Sequence, residues 1–130
     1  MTIRDLKSHL APAHSLAPAV RTGNATGSAV DLRGYDSATV LVHFGAYTDG
    51  SHTPSLEASV DDDTYEPVTA ADLTGDFVAV TAVGGANSVQ QVGYRGPARY
   101  LRAKMTVTGA SNGAASAVSV LRGHGARRGA

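Results

Sequence analysis

The most restrictive feature of the sequence is a segment over residues 99–107 in which apolar and polar residues alternate. The apolar set is Leu101, Ala103, Met105 and Val107, and the polar set is Tyr100, Arg102, Lys104 and Thr106. A period of two is typical of a strand with one buried and one solvated face, whereas a helix repeats every ~3.6 residues. Gly93, Gly96 and Pro97 precede the segment and predict a turn there. The fold must therefore supply this strand with neighbours and a cover.

The rest of the chain also divides into short strands separated by turn residues. Residues 37–47 predict a central strand, with Val40, Val42 and Phe44 on one face. Asp61, Asp62 and Asp63 predict the turn of a hairpin between strands at 56–60 and 65–68. The remaining predicted strands are residues 14–22, 28–32, 77–81, 88–92 and 115–121, with one helical turn at 70–73 and a short helix over 2–10. Roughly eight or nine strands at a spacing of about ten residues indicate a sandwich or a barrel.

Length and composition favour the sandwich. The chain has 130 residues, which suits one domain with one core, and it is rich in small and β-branched residues with no Trp and only two Phe. We predict an all-β, single-domain antiparallel β-sandwich, jelly-roll-like, with its strand order left open. The predicted divisions are an N-terminal arm at residues 1–13, the sandwich at 14–122 and a basic, Gly-rich tail at 123–130.

The sequence also bears on where the protein acts. It contains no Cys, no apolar run typical of a signal peptide and no stretch long enough to span a membrane. We therefore expect a protein that is made in a cytoplasm and has no membrane partner.

Charge is sorted along the chain. No Lys or Arg occurs between Arg33 and Arg95, and nine acidic residues fall in that interval. One interpretation places the basic strand at 99–104 beside the acidic hairpin in the same fold, where exposed ion pairs contribute little. The other places an acidic patch of one copy against a basic terminus of another. The arginines lack an aromatic platform and surplus positive charge, so no nucleic acid partner is expected.

No residue pattern indicates catalysis or a bound cofactor. The five His residues show no ligand spacing with a carboxylate, and Asp61, Asp62 and Asp63 lack the spacing of a calcium loop. No Ser lies in a nucleophile elbow, and Gly84 and Gly85 have no following Lys or helix to hold a phosphate. We expect no enzyme activity, no metal and no cofactor.

Tyrosine supplies the remaining candidate contacts. The five tyrosines are Tyr35, Tyr47, Tyr65, Tyr94 and Tyr100. They either cap the edges of the sandwich or line a protein or carbohydrate contact, because Tyr buries area while keeping a polar end. Arg99 and Arg102 near these rings are either ordinary strand neighbours or interface anchors.

Two stretches of the chain resemble a known group of proteins. They read GYDSATVLVHFGAYTDGSHTPSLEASVDDDTYEPVTAADLTG and VQQVGYRGPARYLRAKMTVTGASNG, and the likeness extends over about residues 30–123. This pattern resembles small structural proteins encoded among the head genes of tailed bacteriophages, prophages and related gene transfer particles. The resemblance implies a virion protein on the capsid surface, a decoration or cement protein whose partners are the major capsid protein and copies of itself.

The predicted interface joins the acidic hairpin to basic residues. Its members are Asp61, Asp62, Asp63, Tyr65, Tyr94, Arg99, Arg102, Arg122, Arg127 and Arg128. Two alternatives remain open. One is a head-to-tail connector or tail component, and the other is a carbohydrate-binding module that uses exposed Tyr to bind a surface glycan.

Overall fold

The computed structural model describes residues 5–125, with side chains up to residue 123. The chain forms ten strands: β1 (Leu10–Arg21), β2 (Ala25–Thr26), β3 (Val30–Asp31), β4 (Tyr35–Tyr47), β5 (Ser51–Ser59), β6 (Glu66–Pro67), β7 (Leu73–Thr74), β8 (Ser88–Tyr94), β9 (Tyr100–Thr108) and β10 (Ala114–Gly125). Three short 3-10 turns lie at Lys7–His9, Ala70–Asp72 and Val83–Gly85. Among the described residues, no helix is long and apolar enough to span a membrane.

The strands form two antiparallel sheets that pack face to face. Sheet A has the order β1-β10-β4-β8-β7, and sheet B has the order β2-β9-β5-β6, with β3 also paired to β9. The first strand therefore lies beside the last, and the connections β1–β2, β3–β4, β4–β5, β6–β7, β8–β9 and β9–β10 cross from one sheet to the other, which is the arrangement of a jelly roll. The predicted all-β antiparallel sandwich is confirmed, and so is its jelly-roll-like character.

Strand β9 has the alternation that the sequence predicts. Leu101, Ala103, Met105 and Val107 are buried, whereas Tyr100, Arg102, Lys104 and Thr106 face outward. The strand lies in the middle of sheet B, because β5 pairs along one side and the short β2 and β3 pair along the other. Its buried face contributes the largest fully buried side chains of the core, Leu101 and Met105.

Strand β4 occupies the corresponding position in sheet A. It lies between β10 and β8, and Val40, Val42 and Phe44 point into the core. The central strand predicted at residues 37–47 is confirmed. His43 points the other way and is exposed, as expected for the outer face.

Ser15 connects the two sheets through a buried hydroxyl. Its side chain donates to the carbonyl of Ser28 at 2.8 Å and accepts from the N–H of Ala103 at 2.7 Å. The N–H of Ser28 also donates to the Ser15 carbonyl at 2.7 Å. A Cβ at Gly27 would lie 2.5 Å from the Ser15 carbonyl oxygen, so this close approach requires glycine.

We expect Ser15→Ala to lower the free energy of unfolding by about 2 kcal/mol, because it leaves the buried N–H of Ala103 without a partner. Urea unfolding of the variant and the wild type measures the difference. Ser119→Ala, on the outer face of β10, is the matched control and should change stability by less than ~0.5 kcal/mol. Equal stabilities for Ser15→Ala and the control would contradict the prediction.

Several local predictions were wrong. The described part of the helix over residues 2–10 is a 3-10 turn followed by the start of β1. Residues 77–81 form no strand, and only Val80 bridges to His52. Val60, the last residue of the strand predicted at 56–60, is 76% exposed, because the hairpin turn begins there. His52, which lies in none of the predicted strands, is fully buried as the second residue of β5.

The first and last strands, β1 and β10, extend into the stretches predicted as an arm and a tail. Leu10 and Ala13 pair with Gly123 and Val120, so β1 starts inside the stretch predicted as an arm. Residues 123–125 continue β10 against β4, inside the stretch predicted as a tail. Residues 1–4 and 126–130 lie outside the described part of the chain.

Candidate functional site

Three loops meet at one end of the sandwich, which we call the loop end. They are residues 32–34 between β3 and β4, residues 60–65 between β5 and β6, and residues 95–99 between β8 and β9. Two shallow clefts open there, and both are lined by Tyr94, Pro97 and Ala98. The loop at 95–99 therefore forms a wall shared by the two clefts.

The first of these, which we call the basic cleft, has a volume of about 390 Å³ and lies between loops 32–34 and 95–99. Arg33, Arg95 and Arg99 line it together with a single acidic residue, Asp36. Arg95 is held in place by a bond from its Nε to the carbonyl of Ala71 at 3.2 Å. The exposed guanidinium groups of Arg33 and Arg95 give this cleft its positive character.

Arg99 lies in the basic cleft but is paired within the chain. Its Nε and Nη2 donate to the two carboxylate oxygens of Asp31 at 2.9 and 2.8 Å. This hydrogen bond, with the backbone N–H of Arg33 as a second donor, lowers the pKa of Asp31 to about 2. The same pairing raises the pKa of Arg99. Arg99 thus joins β3 to the loop before β9.

The pairing of Asp31 predicts that the protein loses stability in acid. A lowered carboxyl pKa means that the folded state binds the proton less readily than the unfolded chain does. The contribution of ionised Asp31 to the free energy of unfolding is therefore complete above about pH 4 and is lost as the pH falls towards 2. Urea unfolding between pH 5 and pH 2 should show this loss, reduced by screening because both side chains are about 40% exposed. Asp31→Asn and Arg99→Gln should each make the acid slope shallower, and an unchanged slope in both would contradict the prediction.

The second cleft, which we call the acidic cleft, has a volume of about 380 Å³ and lies between the β5–β6 hairpin and loop 95–99. Asp61, Glu66 and Asp72 line it, and no Lys or Arg does. Its lining also includes the apolar side chains of Val60, Pro67 and Val68. Two clefts of opposite charge therefore lie side by side at the loop end.

Tyr94 and Gly96 shape the wall between the clefts. Tyr94 is 6% exposed and belongs to the core, so the prediction that it is an exposed aromatic was wrong. Its hydroxyl accepts a bond from the N–H of Ala98 at 3.1 Å, and burial raises its pKa. A Cβ at Gly96 would lie 2.5 Å from that hydroxyl, so glycine lets the loop fold over the ring.

The acidic hairpin turn uses two of its three aspartates to hold its own shape. One Asp61 carboxylate oxygen accepts from the hydroxyl of Ser59 at 2.8 Å and from the N–H groups of Asp63 and Thr64 at 3.0 and 3.1 Å, and these bonds lower the pKa of Asp61. Asp62 has a positive φ of 59° and accepts from the Tyr65 hydroxyl. The predicted hairpin is confirmed, and of the three carboxylates Asp63 is the one that takes no part in these bonds.

Tyr65 and Arg102 form a packed pair beside this hairpin. The Arg102 guanidinium lies 3.9 Å from the centre of the Tyr65 ring and forms a 2.8 Å ion pair with Glu57. Lys104 lies 3.5 Å from the second oxygen of Glu57. Burial, followed by the bond to Asp62, raises the pKa of Tyr65 to about 12. The interpretation that placed the basic strand beside the acidic hairpin in one fold is confirmed.

Arg122 links three strands within the chain. Its guanidinium lies 5.0 Å from the centre of the Tyr35 ring and donates to the carbonyls of Ala11 and Asp31 at 3.2 and 3.0 Å. These bonds connect β10 to β1 and β3, so the side chain is committed to the fold. Arg127 and Arg128, predicted with it as interface residues, lie outside the described residues.

The tyrosine rings are already in contact with other groups of this chain. Arg99, Arg102 and Arg122 each lie over a ring, those of Tyr100, Tyr65 and Tyr35 respectively. The Tyr47 hydroxyl donates to the carbonyls of Gly50 and Thr81 at 2.7 and 2.8 Å. One face of each of the rings of Tyr100, Tyr65 and Tyr35 is therefore in contact with an arginine of this chain.

Among the described side chains, no histidine lines either cleft. His43 is exposed on sheet A, and His52 is buried with its Nε2 2.9 Å from the carbonyl oxygen of Asp49. Within residues 5–125, no group of three His, Cys, Asp or Glu side chains is arranged to hold a metal ion.

Five charged residues of the clefts were not predicted as interface residues from the sequence. They are Arg33, Asp36, Arg95, Glu66 and Asp72. All of them except Asp72 lie within two residues of a Gly or a Pro, which is the one local signal that they carry. Their convergence depends on β3, β6 and β8 ending at the same end of the sandwich.

No protein-family model and no curated protein matches the chain. Two solved structures are similar over nearly its whole length. The SPBc2 prophage-derived protein YomS is 16% identical with a TM-score of 0.49, over 94% of this chain and 96% of that one. PirA is 10% identical with a TM-score of 0.43, over 95% of this chain and all of that one. At these identities the chain is assigned to no family.

Proposed function

We propose that this protein is a phage virion protein that decorates the outer capsid and bridges neighbouring capsid subunits. One observation carries the proposal: the basic cleft and the acidic cleft lie side by side at the loop end and share a wall. A surface with two signs of charge is suited to contact a basic region on one neighbour and an acidic region on the next. The resemblance over residues 30–123 points to the same class of protein.

The rigidity of the loop end also supports this role. The hairpin turn is held by Asp61, loop 95–99 by the hydroxyl of Tyr94, and loop 32–34 by Asp31. A surface that is already ordered loses little conformational entropy when it binds. A bridge that binds only the assembled shell stabilises it by about 2.7 kcal/mol per site at a free concentration 100 times its Kd.

Cryo-EM of particles produced with and without the gene is the direct test. We expect density for the domain over the capsid lattice, with shells that lack it breaking at a lower temperature. Density restricted to the portal vertex or tail would replace the proposal with the connector alternative. Particles without the protein, together with binding on a glycan array, would replace it with the carbohydrate-binding alternative.

Charge reversal tests the role of the clefts. We expect Arg33→Glu and Glu66→Lys each to lower capsid occupancy at least about tenfold, because each places a like charge against the shell. Thr106→Asp, an exposed change on the outer face of sheet B, is the control and should bind as the wild type does. Full occupancy for both cleft variants would mean that the clefts do not face the shell.

A further inference from the structure

Among the side chains that the structure describes, none on the outer face of sheet A belongs to Asp, Glu, Lys or Arg. Residues that pair across antiparallel strands point to the same side, so the register and the burial pattern together identify which residues face outward. These residues are Pro12, His14 and Val20 on β1, Ala115, Ala117, Ser119 and Leu121 on β10, Thr39, Leu41, His43 and Gly45 on β4, and Val89, Gln91 and Gly93 on β8. We call this surface the neutral face. The named residues include two histidines, His14 and His43, and no Asp, Glu, Lys or Arg.

The opposite surface of the sandwich differs. On the outer face of sheet B, Glu57 pairs with Arg102 and Lys104 at 2.8 and 3.5 Å. Charged side chains are depleted at the centres of protein interfaces, because removing them from water is costly. Of the two sheet faces, the neutral face is therefore the one suited to burial.

The edges of sheet A are poorly suited to strand pairing between copies. Strand β1 contains Pro12 and Pro18 and two irregularities in its pairing with β10, and both features disrupt edge-to-edge hydrogen bonding. At the other edge, β7 covers one end of β8, and the side chain of Gln90 bonds both backbone groups of Val78 at 2.9 and 2.7 Å. A copy that joins sheet A therefore has the face, and not an edge, as its docking surface.

We propose that a second copy of this chain packs its neutral face against this one to form a two-fold symmetric dimer. In such a dimer each face meets an identical face, and an uncharged face meets itself without apposing like charges. A charged partner would instead lose its hydration here without gaining an ion pair. Small residues at Gly45, Ala115 and Ala117 allow two sheets to approach to about 10 Å.

The size of the face agrees with this occupant. Four strands about 4.8 Å apart, each presenting about eight residues at ~3.3 Å, cover about 500 Å² of flat area per copy. Two copies would bury about 1,000 Å², which is near the lower limit for a specific interface. Val20 is 66% exposed on β1 and Val89 is 59% exposed on β8, at opposite edges of the face. A two-fold axis that runs parallel to the strands, between β10 and β4, brings Val20 of one copy near Val89 of the other copy. By symmetry, Val89 of the first copy lies near Val20 of the second.

Sedimentation equilibrium of the full-length chain over a concentration series tests the dimer. We expect the wild type to have twice the 13.2 kDa mass of one chain. Ala117→Asp and His43→Asp should each weaken the dimer at least about 100-fold, because the symmetry places two new negative charges in one interface. Thr106→Asp, which adds the same charge to the outer face of sheet B, should leave the dimer intact.

Circular dichroism of each variant separates loss of the dimer from loss of the fold, and the exposed His43 makes His43→Asp the variant least able to disturb the fold. A wild type that stays monomeric at all concentrations would overturn the proposal, as would a dimer that survives both changes. If the wild type is monomeric, and Ala117→Asp and His43→Asp release the protein from capsids, then the neutral face binds the shell protein and not a second copy. The dimer is measured in isolation, so it stands or falls separately from the capsid role.

Discussion

Replacing Gly113 with alanine is expected to destabilise the protein strongly. Gly113 has a φ of +77°, and a Cβ there would overlap the carbonyl oxygen of Arg21. The position is also fully bonded: its N–H donates to Asp49 at 2.7 Å and its carbonyl accepts from Thr48 at 2.9 Å. The loop cannot move away without breaking these bonds. We expect a loss of more than ~3 kcal/mol, a large part of the 5–15 kcal/mol typical of a domain.

Two other glycines separate the causes of this loss. Gly109 has a φ of +67° with open space around it, so Gly109→Ala should cost only the ~1–2 kcal/mol of the left-handed backbone. Gly84 has neither a positive φ nor a neighbour, so Gly84→Ala should be within ~0.5 kcal/mol of the wild type. Chemical unfolding measures all three. A Gly113→Ala protein as stable as Gly109→Ala would show that the contact with Arg21 relaxes freely.

Replacing Leu101 with alanine is the second change with a large expected effect. Leu101 is completely buried in the centre of β9, among the core side chains of both sheets. Truncation removes apolar area from the core and leaves a cavity that close-packed strands cannot fill, which typically costs about 2–5 kcal/mol. We expect the midpoint of urea unfolding to fall accordingly, with an unchanged slope.

Thr106 on the same strand is the matched control for this truncation. Its side chain is exposed, so Thr106→Ala removes atoms of similar kind without opening a cavity and should cost less than ~1 kcal/mol. If Leu101→Ala cost no more than Thr106→Ala, the interior would be loosely packed around β9. A loosely packed interior would in turn undermine the rigid loop end on which the capsid proposal depends.

Local patterns predicted the strands wherever one face is buried and the other is wet. The predictions for β9 and β4 are correct because every second residue of these strands is buried, and the apolar residues of the sequence alternate in the same way. The hairpin at Asp61, Asp62 and Asp63 agrees because aspartate side chains satisfy their own turn. The strand predicted at residues 77–81 was wrong because Phe77 and Val80 pack against the core from a loop, without the ladder of backbone hydrogen bonds that a strand makes.

The candidate site was predicted only in part. The acidic turn was identified as a feature of the surface, but two of its three aspartates serve the turn itself. Arg102 and Arg122 were grouped as interface residues because they are basic, yet each bonds and stacks within the chain. Composition gives the number of charged side chains. How many of them can contact a partner depends on which ones already form ion pairs and hydrogen bonds within the fold.

Periodicity and turn residues determined the all-β class, the central strands and the acidic hairpin, because these depend on neighbours within a few residues of each other. Strand order was decided by the tertiary structure alone, since it depends on which distant strands pair. That order brings Arg33, Arg95, Glu66 and Asp72 to one end of the sandwich. It also assembles a face without charge from four strands that lie far apart in the sequence. The clefts and the neutral face consist of side chains from distant parts of the sequence, and the pairing of distant strands is what brings these side chains together.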